Sequence, residues 1–262
     1  MKQRNTLLIA AITGGLGLLL VGQSSAALIG TTGDLPTGIR RTSGYYGGSG
    51  GEFTIASTGL DLSGYVSGAS GTSLAVGSFQ TFCLEKNEYT FNGSSGNGNF
   101  RVNTQALKGG KNTQNGDDLS QAVAWLYCQF ASKDWEAGTP VYDYVVGDRD
   151  DSAAALQNAI WFLEEELTNV DAGLANPFVQ AALDKFGSAG DTDLEKLVDA
   201  RMANAAGGFG VYVLNNFDGT GFKQDQLYYN PNGERVPDGG ANLLLLGLAL
   251  SGLSFFRRRL KA

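Results

Sequence analysis

Cysteine and glutamine side chains are the strongest chemical candidates in this chain of 262 residues. Because the chain contains no histidine, Cys83 has no imidazole base that could activate it as a protease-like nucleophile. The even number of cysteines allows a disulfide between Cys83 and Cys128, which an oxidising compartment would favour. The alternative is an internal thioester between Cys83 and a glutamine side chain. The residues alone leave three outcomes open: the thioester, the disulfide and two free thiols.

Two predicted helices each carry a glutamine four residues before a tryptophan. The pairs are Gln121 with Trp125, and Gln157 with Trp161. This spacing places the two side chains one helical turn apart on the same face. In the second pair an apolar residue precedes both members, so it is the better formed motif. The structural interpretation of either pair is a tryptophan in the core and a glutamine at the surface.

The second pair has a family resemblance when it is taken together with Cys83. A strand ending in Phe82-Cys83, followed far downstream by the helical motif Leu156-Gln157-Asn158-Ala159-Ile160-Trp161, resembles the bacterial surface thioester domains. In that family a cysteine and a glutamine side chain join in an intramolecular thioester with loss of ammonia. The resemblance implies a β-sandwich or barrel that carries a helical subdomain.

Residue by residue, the resemblance makes Cys83 the thiol and Gln157 the acyl partner of the bond. Phe82, Ile160 and Trp161 are the implied supporting packing, with Trp161 shielding the bond from water. A thioester can pass its acyl group to an amine, such as a lysine of a partner protein. The implied role is therefore covalent adhesion, with one reaction per molecule, and not enzymatic turnover. The second cysteine departs from the family pattern and keeps the disulfide alternative open.

The elements that must position these residues change in character along the chain. Up to about Arg101, short runs between Gly, Ser and Asn predict antiparallel strands, whereas helical periodicity begins at Asp117. The predicted strands are residues 52–56, 60–66, 73–76, 79–84, 88–91, 210–214 and 226–229. The predicted helices run from Asp117 or Asp118 to Phe130, from Asp151 or Ser152 to Leu167, from Asn176-Pro177 to Gly187, and from Asp191 to Gly207. This order predicts one α+β domain over residues 28–235, a β-sandwich or barrel with a helical subdomain of about four helices.

Both ends of the chain have the pattern of targeting segments. Residues 1–26 combine two basic residues, an apolar run and an end of small residues, which predicts a secretory signal peptide. Residues 236–262 begin with Val-Pro-Asp-Gly-Gly, continue as an apolar stretch and end in a cluster of arginines. This second pattern predicts a hydrophobic transmembrane helix whose arginines stay on the cytoplasmic side.

The C-terminal segment resembles the PEP-CTERM family of exosortase sorting signals, in a Val-Pro-Asp variant. The residues that carry this resemblance are Val236, Pro237, Asp238, Gly239, Arg257, Arg258 and Arg259. It implies a Gram-negative exported protein that is held transiently in the inner membrane and cleaved near Pro237 by an exosortase-type enzyme. Such proteins often accompany exopolysaccharide, and the expected destination is the cell surface or the extracellular matrix.

Charge and composition exclude several classes of function. The full chain has a net charge of −7, and between the two targeting ends 25 acidic groups face 13 basic ones, which argues against a nucleic-acid partner. With two cysteines and no histidine, we expect neither a metal site nor a cofactor. The resulting prediction is an adhesin-like surface or matrix protein that is not an enzyme. The alternative is a non-reactive structural matrix or carbohydrate-binding protein with a Cys83–Cys128 disulfide.

Overall fold

The computed structural model describes residues 39–48, 50–57, 78–88, 99–107, 116–145, 147–218 and 221–230. The predicted signal peptide, the predicted C-terminal helix and the strands predicted at 60–66 and 73–76 lie outside these residues. Nearly all of the strand predicted at 88–91 lies outside them as well. Within the described ranges, no helix is both long enough and apolar enough to cross a membrane.

The described residues form a mixed α+β fold, in agreement with the predicted order of elements. The strands are β1 (Ile39–Tyr46), β2 (Gly51–Ser57), β3 (Ser78–Phe82), β4 (Asn99–Asn103), β5 (Gln105–Ala106), β6 (Asp117–Asp118), β7 (Val211–Asp218) and β8 (Gly221–Tyr229). The helices are α1 (Gln121–Ser132), α2 (Arg149–Leu163), α3 (Val170–Leu174), α4 (Pro177–Phe186) and α5 (Asp193–Ala200), and a short 3-10 helix spans Ala205–Gly210. The short helix α3 was not predicted from the sequence.

The strands form small open sheets. β1, β2 and β3 pair in that order in one antiparallel sheet, β4, β7 and β8 form a second, and β5 pairs with β6. The two larger sheets meet where the chain leaves β3. There Cys83 lies opposite Gln226, and the Leu84 N–H donates to the Asp225 carbonyl oxygen at 3.1 Å. The edge strands β3 and β8 therefore join the two sheets through a short stretch of antiparallel pairing.

Alternation of side chains gives these joined sheets two apolar faces. One face packs against the helices and forms the main core, which includes Phe82 and Leu227. The other face forms a smaller group, here named the Cys83 cluster. Its members are Phe53, Ile55, Phe79, Cys83, Trp161, Tyr212, Leu214 and Tyr228. The consecutive residues Phe82 and Cys83 therefore belong to opposite faces, and the cysteine faces away from the main core.

Helix α1 begins at a different cap from the predicted one. Ser120 caps it, because the Val123 N–H donates to Ser120 Oγ at 3.2 Å. The prediction of a cap at Asp117 or Asp118 is wrong, since these two residues pair with β5 as strand β6. The Ser120 hydroxyl also donates to Glu164 Oε1 at 2.7 Å, which joins the start of α1 to the end of α2.

Helix α2 was predicted in the correct place but with different ends. It begins at Arg149, before the predicted caps at Asp151 and Ser152, and it ends at Leu163 instead of Leu167. The chain turns soon after that end, because Glu165 adopts a left-handed φ of 64°. The helix still covers the whole motif from Leu156 to Trp161.

The two later helices differ in how well they were predicted. The α4 prediction is confirmed at both ends, with Pro177 in the first position and Gly187 directly after the last. Helix α5 is capped by Thr192 and not by Asp191, and it ends at Ala200, well before the predicted end. A separate 3-10 helix follows in that region, so the predicted single helix is two elements.

Candidate functional site

Gln157 and Cys83 lie in direct contact although they belong to different elements. Gln157 lies in the middle of α2, and Cys83 follows β3. The Cys83 main-chain N–H donates to Gln157 Oε1 at 3.1 Å, and Gln157 Nε2 donates to the Cys83 carbonyl oxygen at 2.9 Å. Gln157 is 1% exposed and Cys83 is 2% exposed. The fold therefore brings together the cysteine and the glutamine that the sequence analysis paired.

The strand pairing explains why the Cys83 peptide faces α2. Cys83 lies opposite Gln226, and the hydrogen bond beside this pair runs from Leu84 to Asp225. In such a non-hydrogen-bonded antiparallel pair, the N–H and C=O of the central residue point away from the partner strand. They therefore face β2 and α2. The N–H is shared between Gln157 Oε1 at 3.1 Å and the Gly50 carbonyl oxygen at 3.2 Å, and the carbonyl oxygen accepts from Gln157 Nε2.

Trp161 lies one helical turn after Gln157 and reaches the face of the sheet that carries Cys83. It is 8% exposed, belongs to the Cys83 cluster and leaves its Nε1 without a hydrogen-bond partner. Phe82 and Ile160, the other two predicted packing residues, belong to the main core on the opposite face. Of these three residues, Trp161 is the one placed to keep water away from the cysteine.

Two consecutive glycines make room for the glutamine and the tryptophan. Gly50 has a φ of 92°, and a Cβ there would overlap the Trp161 ring and lie 3.1 Å from Gln157 Cγ. A Cβ at Gly51 would overlap both Gln157 Oε1 and the ring of Phe82. The close approach of α2 to β2 at this point therefore requires glycine at both positions.

The Gly51→Ala variant is expected to lower the free energy of unfolding by about 1–3 kcal/mol, because the added methyl group overlaps buried atoms that have little room to move. Gly138→Ala is the matched control, since at Gly138, with a φ of 88°, nothing lies within 4 Å of an added Cβ. The control variant introduces backbone strain alone, of about 1 kcal/mol. Urea denaturation measures both variants, and equal losses would contradict the packing described at Gly51.

A buried ion pair fixes α2 against the sheet. Arg149, the first residue of α2, binds the carboxylate of Glu52 on β2 through its Nε at 2.9 Å and through its Nη2. Nη2 also donates to Gln80 Oε1 on β3 at 2.7 Å, and the Tyr142 hydroxyl donates to the same glutamate. Burial raises the pKa of Glu52, and the hydrogen bond from Arg149 opposes this shift. The pair connects the helix that carries Gln157 to the strands that lead to Cys83.

Neither member of this ion pair was singled out in the sequence. Arg149 stands in a run of aspartates, where a solvated helix start is the ordinary interpretation, and Glu52 lies in a short strand. Both side chains are 0% exposed in the structure. A charged residue within an otherwise apolar strand is the signal that could have pointed to a buried partner.

Two further carboxyl groups are buried near Cys83: Glu85 follows it by two residues in the chain, and Asp225 lies on β8 beside its pairing partner Gln226. The Asp225 carboxylate accepts hydrogen bonds from the Leu107 N–H at 2.7 Å and from Asn215 Nδ2 at 2.9 Å. Glu85 Oε2 accepts from the Asp225 N–H at 3.0 Å. Burial, together with the neighbouring Asp225 carboxylate, raises the pKa of Glu85 well above its usual value. Burial also raises the pKa of Asp225 to about 7.

This carboxyl pair is expected to make the protein less stable as the pH rises. In the unfolded protein these carboxyl groups ionise near pH 4, whereas in the folded protein they keep their protons to a higher pH. Between these two pH values the folded state therefore binds more protons than the unfolded state. The stabilisation is fully present below about pH 4 and is lost as the pH rises through the pKa of about 7 of Asp225. Denaturation titrations from pH 4 to pH 8 measure this loss, on the order of 1.4 kcal/mol per pH unit for one extra bound proton.

The variants Asp225→Asn and Glu85→Gln each remove one member of the carboxyl pair. Each variant is expected to flatten the fall in unfolding free energy over that pH range. A fall as steep as that of the wild type in both variants would assign the pH dependence to other groups.

Cys128 lies in a different part of the fold from Cys83. It is a half-buried residue of α1 that packs against the main core, whereas Cys83 belongs to the cluster on the other face of the sheet. The structure contains no disulfide between these two cysteines. The disulfide stays a prediction, and the placement of the two side chains in separate clusters gives it no support.

The first glutamine and tryptophan pair has structural contacts of its own. Gln121 Nε2 donates to the Asp199 carbonyl oxygen at 2.7 Å, which links α1 to the end of α5. Trp125 Nε1 donates to Glu136 Oε1 at 3.1 Å. The same spacing that places Gln157 on Cys83 thus serves helix packing in α1, and Gln121 is a natural control for experiments on Gln157.

Comparison with known families identifies the C-terminal segment. Residues 235–260 match the VPDSG-CTERM motif, a sorting signal of the PEP-CTERM type, which confirms the interpretation of this end of the chain. Gly239 stands where the name of the motif has a serine. The motif indicates an exported protein that an exosortase-type enzyme processes and that is sorted to the cell surface. It covers the end of the chain alone and so describes sorting, not the domain that contains Cys83.

No curated protein and no solved structure is significantly similar to the chain. Among the described residues, no group of three or more His, Cys, Asp or Glu side chains is arranged to hold a metal ion.

Proposed function

We propose that Cys83 and Gln157 form an internal thioester and that this sorted protein binds amine-bearing partners covalently at the cell surface. The observation that carries the proposal is the pair of hydrogen bonds between the Gln157 carboxamide and the Cys83 main chain, at 3.1 and 2.9 Å. They hold the carboxamide against the residue that supplies the sulfur. Such positioning lowers the activation barrier, because the fold has already fixed the two groups that separate reactants would have to bring together at a cost in entropy.

Thioester formation exchanges one bond for another. The Cys83 sulfur attacks Gln157 Cδ, the bond from Cδ to Nε2 breaks, and the nitrogen leaves as ammonia with the proton of the thiol. Negative charge develops on Oε1 in the tetrahedral intermediate, and the Cys83 N–H already donates to this atom at 3.1 Å. The Cys83 carbonyl oxygen accepts from Nε2 at 2.9 Å and so orients the leaving nitrogen. The main chain of one residue, Cys83, thus supports both changing atoms, and no histidine is needed.

Burial supports the survival of the bond after it forms. A thioester reacts with water, and both reacting residues are almost fully buried, with Trp161 packed in the same cluster as the cysteine. The buried pair of Arg149 and Glu52 holds the helix of Gln157 on the sheet. The reactive group would therefore persist until an amine approaches it.

The sorting signal provides the setting for this chemistry. A protein carried to the cell surface meets lysine side chains of other proteins and amine groups of surface polymers. The proposal includes adhesion and a role in an exopolysaccharide matrix. It also includes closure of the joined sheets into a sandwich or barrel. The small open sheets, with the helices on one face, are compatible with that architecture.

Reaction with methylamine tests the proposed function. We expect the exported and processed protein to gain one methylamide on Gln157, located by peptide mass mapping, and to release a thiol at Cys83 that then reacts with maleimide. The absence of an adduct, together with a Cys83 that reacts with maleimide after unfolding without any amine, would overturn the proposal. That outcome would favour a non-reactive matrix or carbohydrate-binding protein with free thiols. No adduct and a Cys83 that reacts with maleimide only after reduction would overturn the proposal as well, and would favour the same protein with the Cys83–Cys128 disulfide.

A further inference from the structure

Gln226 on β8 is the residue directly opposite Cys83. Residues that face each other in an antiparallel pair project their side chains to the same side of the sheet, with Cβ atoms about 4.5–5.5 Å apart. On its other side Gln226 pairs with Leu214 of β7, and Tyr228 lies two residues further along β8. Cys83, Leu214 and Tyr228 all belong to the Cys83 cluster. The Gln226 carboxamide therefore lies beside the cysteine side chain, on the face away from the main core.

The carboxamide of Gln226 has an unused acceptor in this apolar surrounding. Gln226 is 1% exposed, and its Oε1 has no hydrogen-bond partner. A buried acceptor without a donor is unfavourable, because it loses its hydrogen bonds to water and gains none in return. Such an atom, next to the sulfur of a reactive bond, is suited to a ligand that brings its own N–H group.

We propose that Gln226 Oε1 binds the N–H of the primary amine that attacks the thioester between Cys83 and Gln157. This inference rests on the proposed function. The amine nitrogen forms a bond to Gln157 Cδ, the bond from Cδ to the Cys83 sulfur breaks, and one amine proton passes to the sulfur as a thiol. A second N–H of the attacking nitrogen donates to Gln226 Oε1.

The same hydrogen bond predicts a preference for amines over other nucleophiles. Positive charge develops on the nitrogen as it attacks, so its N–H becomes a stronger donor in the transition state than in the free amine. A thiol that attacks the same carbon has a single proton to lose and then no donor left for Gln226. The acceptor therefore favours primary amines, such as the lysine side chain in its uncharged form.

Three substitutions at Gln226 test this role in the exported and processed protein. Gln226→Met keeps the approximate length and volume of the side chain but removes the acceptor, whereas Gln226→Glu keeps an acceptor oxygen. Gln226→Asn keeps the amide but withdraws it by one methylene. The measurements are the loss of ammonia on thioester formation, the rate of reaction with methylamine, and the rate of exchange with 2-mercaptoethanol.

We expect the Met and Asn variants to form the thioester, to react with methylamine at least about fivefold more slowly, and to exchange with 2-mercaptoethanol at the wild-type rate. The Glu variant is expected to react with both nucleophiles at rates within about twofold of the wild-type rates, because it keeps an acceptor oxygen. If the Met variant does not fold, the Asn variant alone tests the role of Gln226. A wild-type methylamine rate in every folded variant, or equal slowing of both nucleophiles, would overturn the role of Gln226. Absence of a thioester in the wild type would instead overturn the proposed function.

Discussion

Replacing Cys83 by serine, or Gln157 by alanine, is expected to reduce covalent incorporation of a fluorescent primary amine to background. The serine variant has no sulfur to form a thioester, and the alanine variant has no acyl group to transfer. The hydrogen bonds between the two residues place both partners at one site, so the loss should be complete in each variant. In-gel fluorescence of the exported protein measures it.

The chain offers a matched control for each of these substitutions. Cys128→Ser removes the other cysteine, which lies in a different cluster, and Gln121→Ala removes the glutamine of the parallel motif, which binds the Asp199 carbonyl oxygen. Both control variants should incorporate the amine at the wild-type level. Loss of incorporation in Cys128→Ser would contradict the assignment of Cys83 and Gln157 as a self-sufficient pair.

The Arg149→Met variant is expected to lower the free energy of unfolding by about 3–5 kcal/mol, because it leaves the Glu52 carboxylate buried without its partner. Both side chains are fully buried, so water cannot replace the lost hydrogen bonds. The variant should also lower the yield of thioester, since Arg149 is the first residue of the helix that positions Gln157. Guanidinium denaturation gives the stability, and amine incorporation gives the yield.

A surface ion pair is the control for this second prediction. Lys196 contacts Asp184 at 3.0 Å, and the aspartate side chain is 72% exposed, so Lys196→Met should change the stability by less than about 1 kcal/mol. The double variant Arg149→Met with Glu52→Met replaces both buried charges by apolar groups and should recover part of the stability. A single variant as stable as the wild type would show that the buried pair does not hold α2.

Sequence reasoning paired Cys83 with Gln157, because the signals of each residue are local. Phe82-Cys83 ends a strand, and the spacing of Gln157 and Trp161 marks one face of a helix, and the structure has both elements in these places. The contact between them depends on how α2 packs on the sheet. Spacing alone cannot show this, since Gln121 and Trp125 have the same spacing and serve helix packing instead.

The remaining features of the site depend on contacts between residues that are distant in the chain. Glu52 and Arg149 are separated by 97 residues, and Gln226 faces Cys83 across a pairing of edge strands. Each of these residues has an ordinary polar or charged appearance in its own segment. Their importance follows from burial, which periodicity does not give for short strands between glycine-rich runs. The same reason explains the wrong cap of α1, because pairing of Asp117–Asp118 with β5 could not be foreseen locally.

The intact mass of the exported and processed protein, measured without any added amine, tests the central claim most directly. If Cys83 and Gln157 form a thioester, the mass is lower than the sequence mass by one ammonia, and unfolding in methylamine gives an adduct whose mass exceeds the sequence mass by one methylene group. A mass equal to that of the sequence would contradict the bond. A deficit of two hydrogens that a reducing agent reverses would contradict it as well, and would establish the disulfide between Cys83 and Cys128 instead.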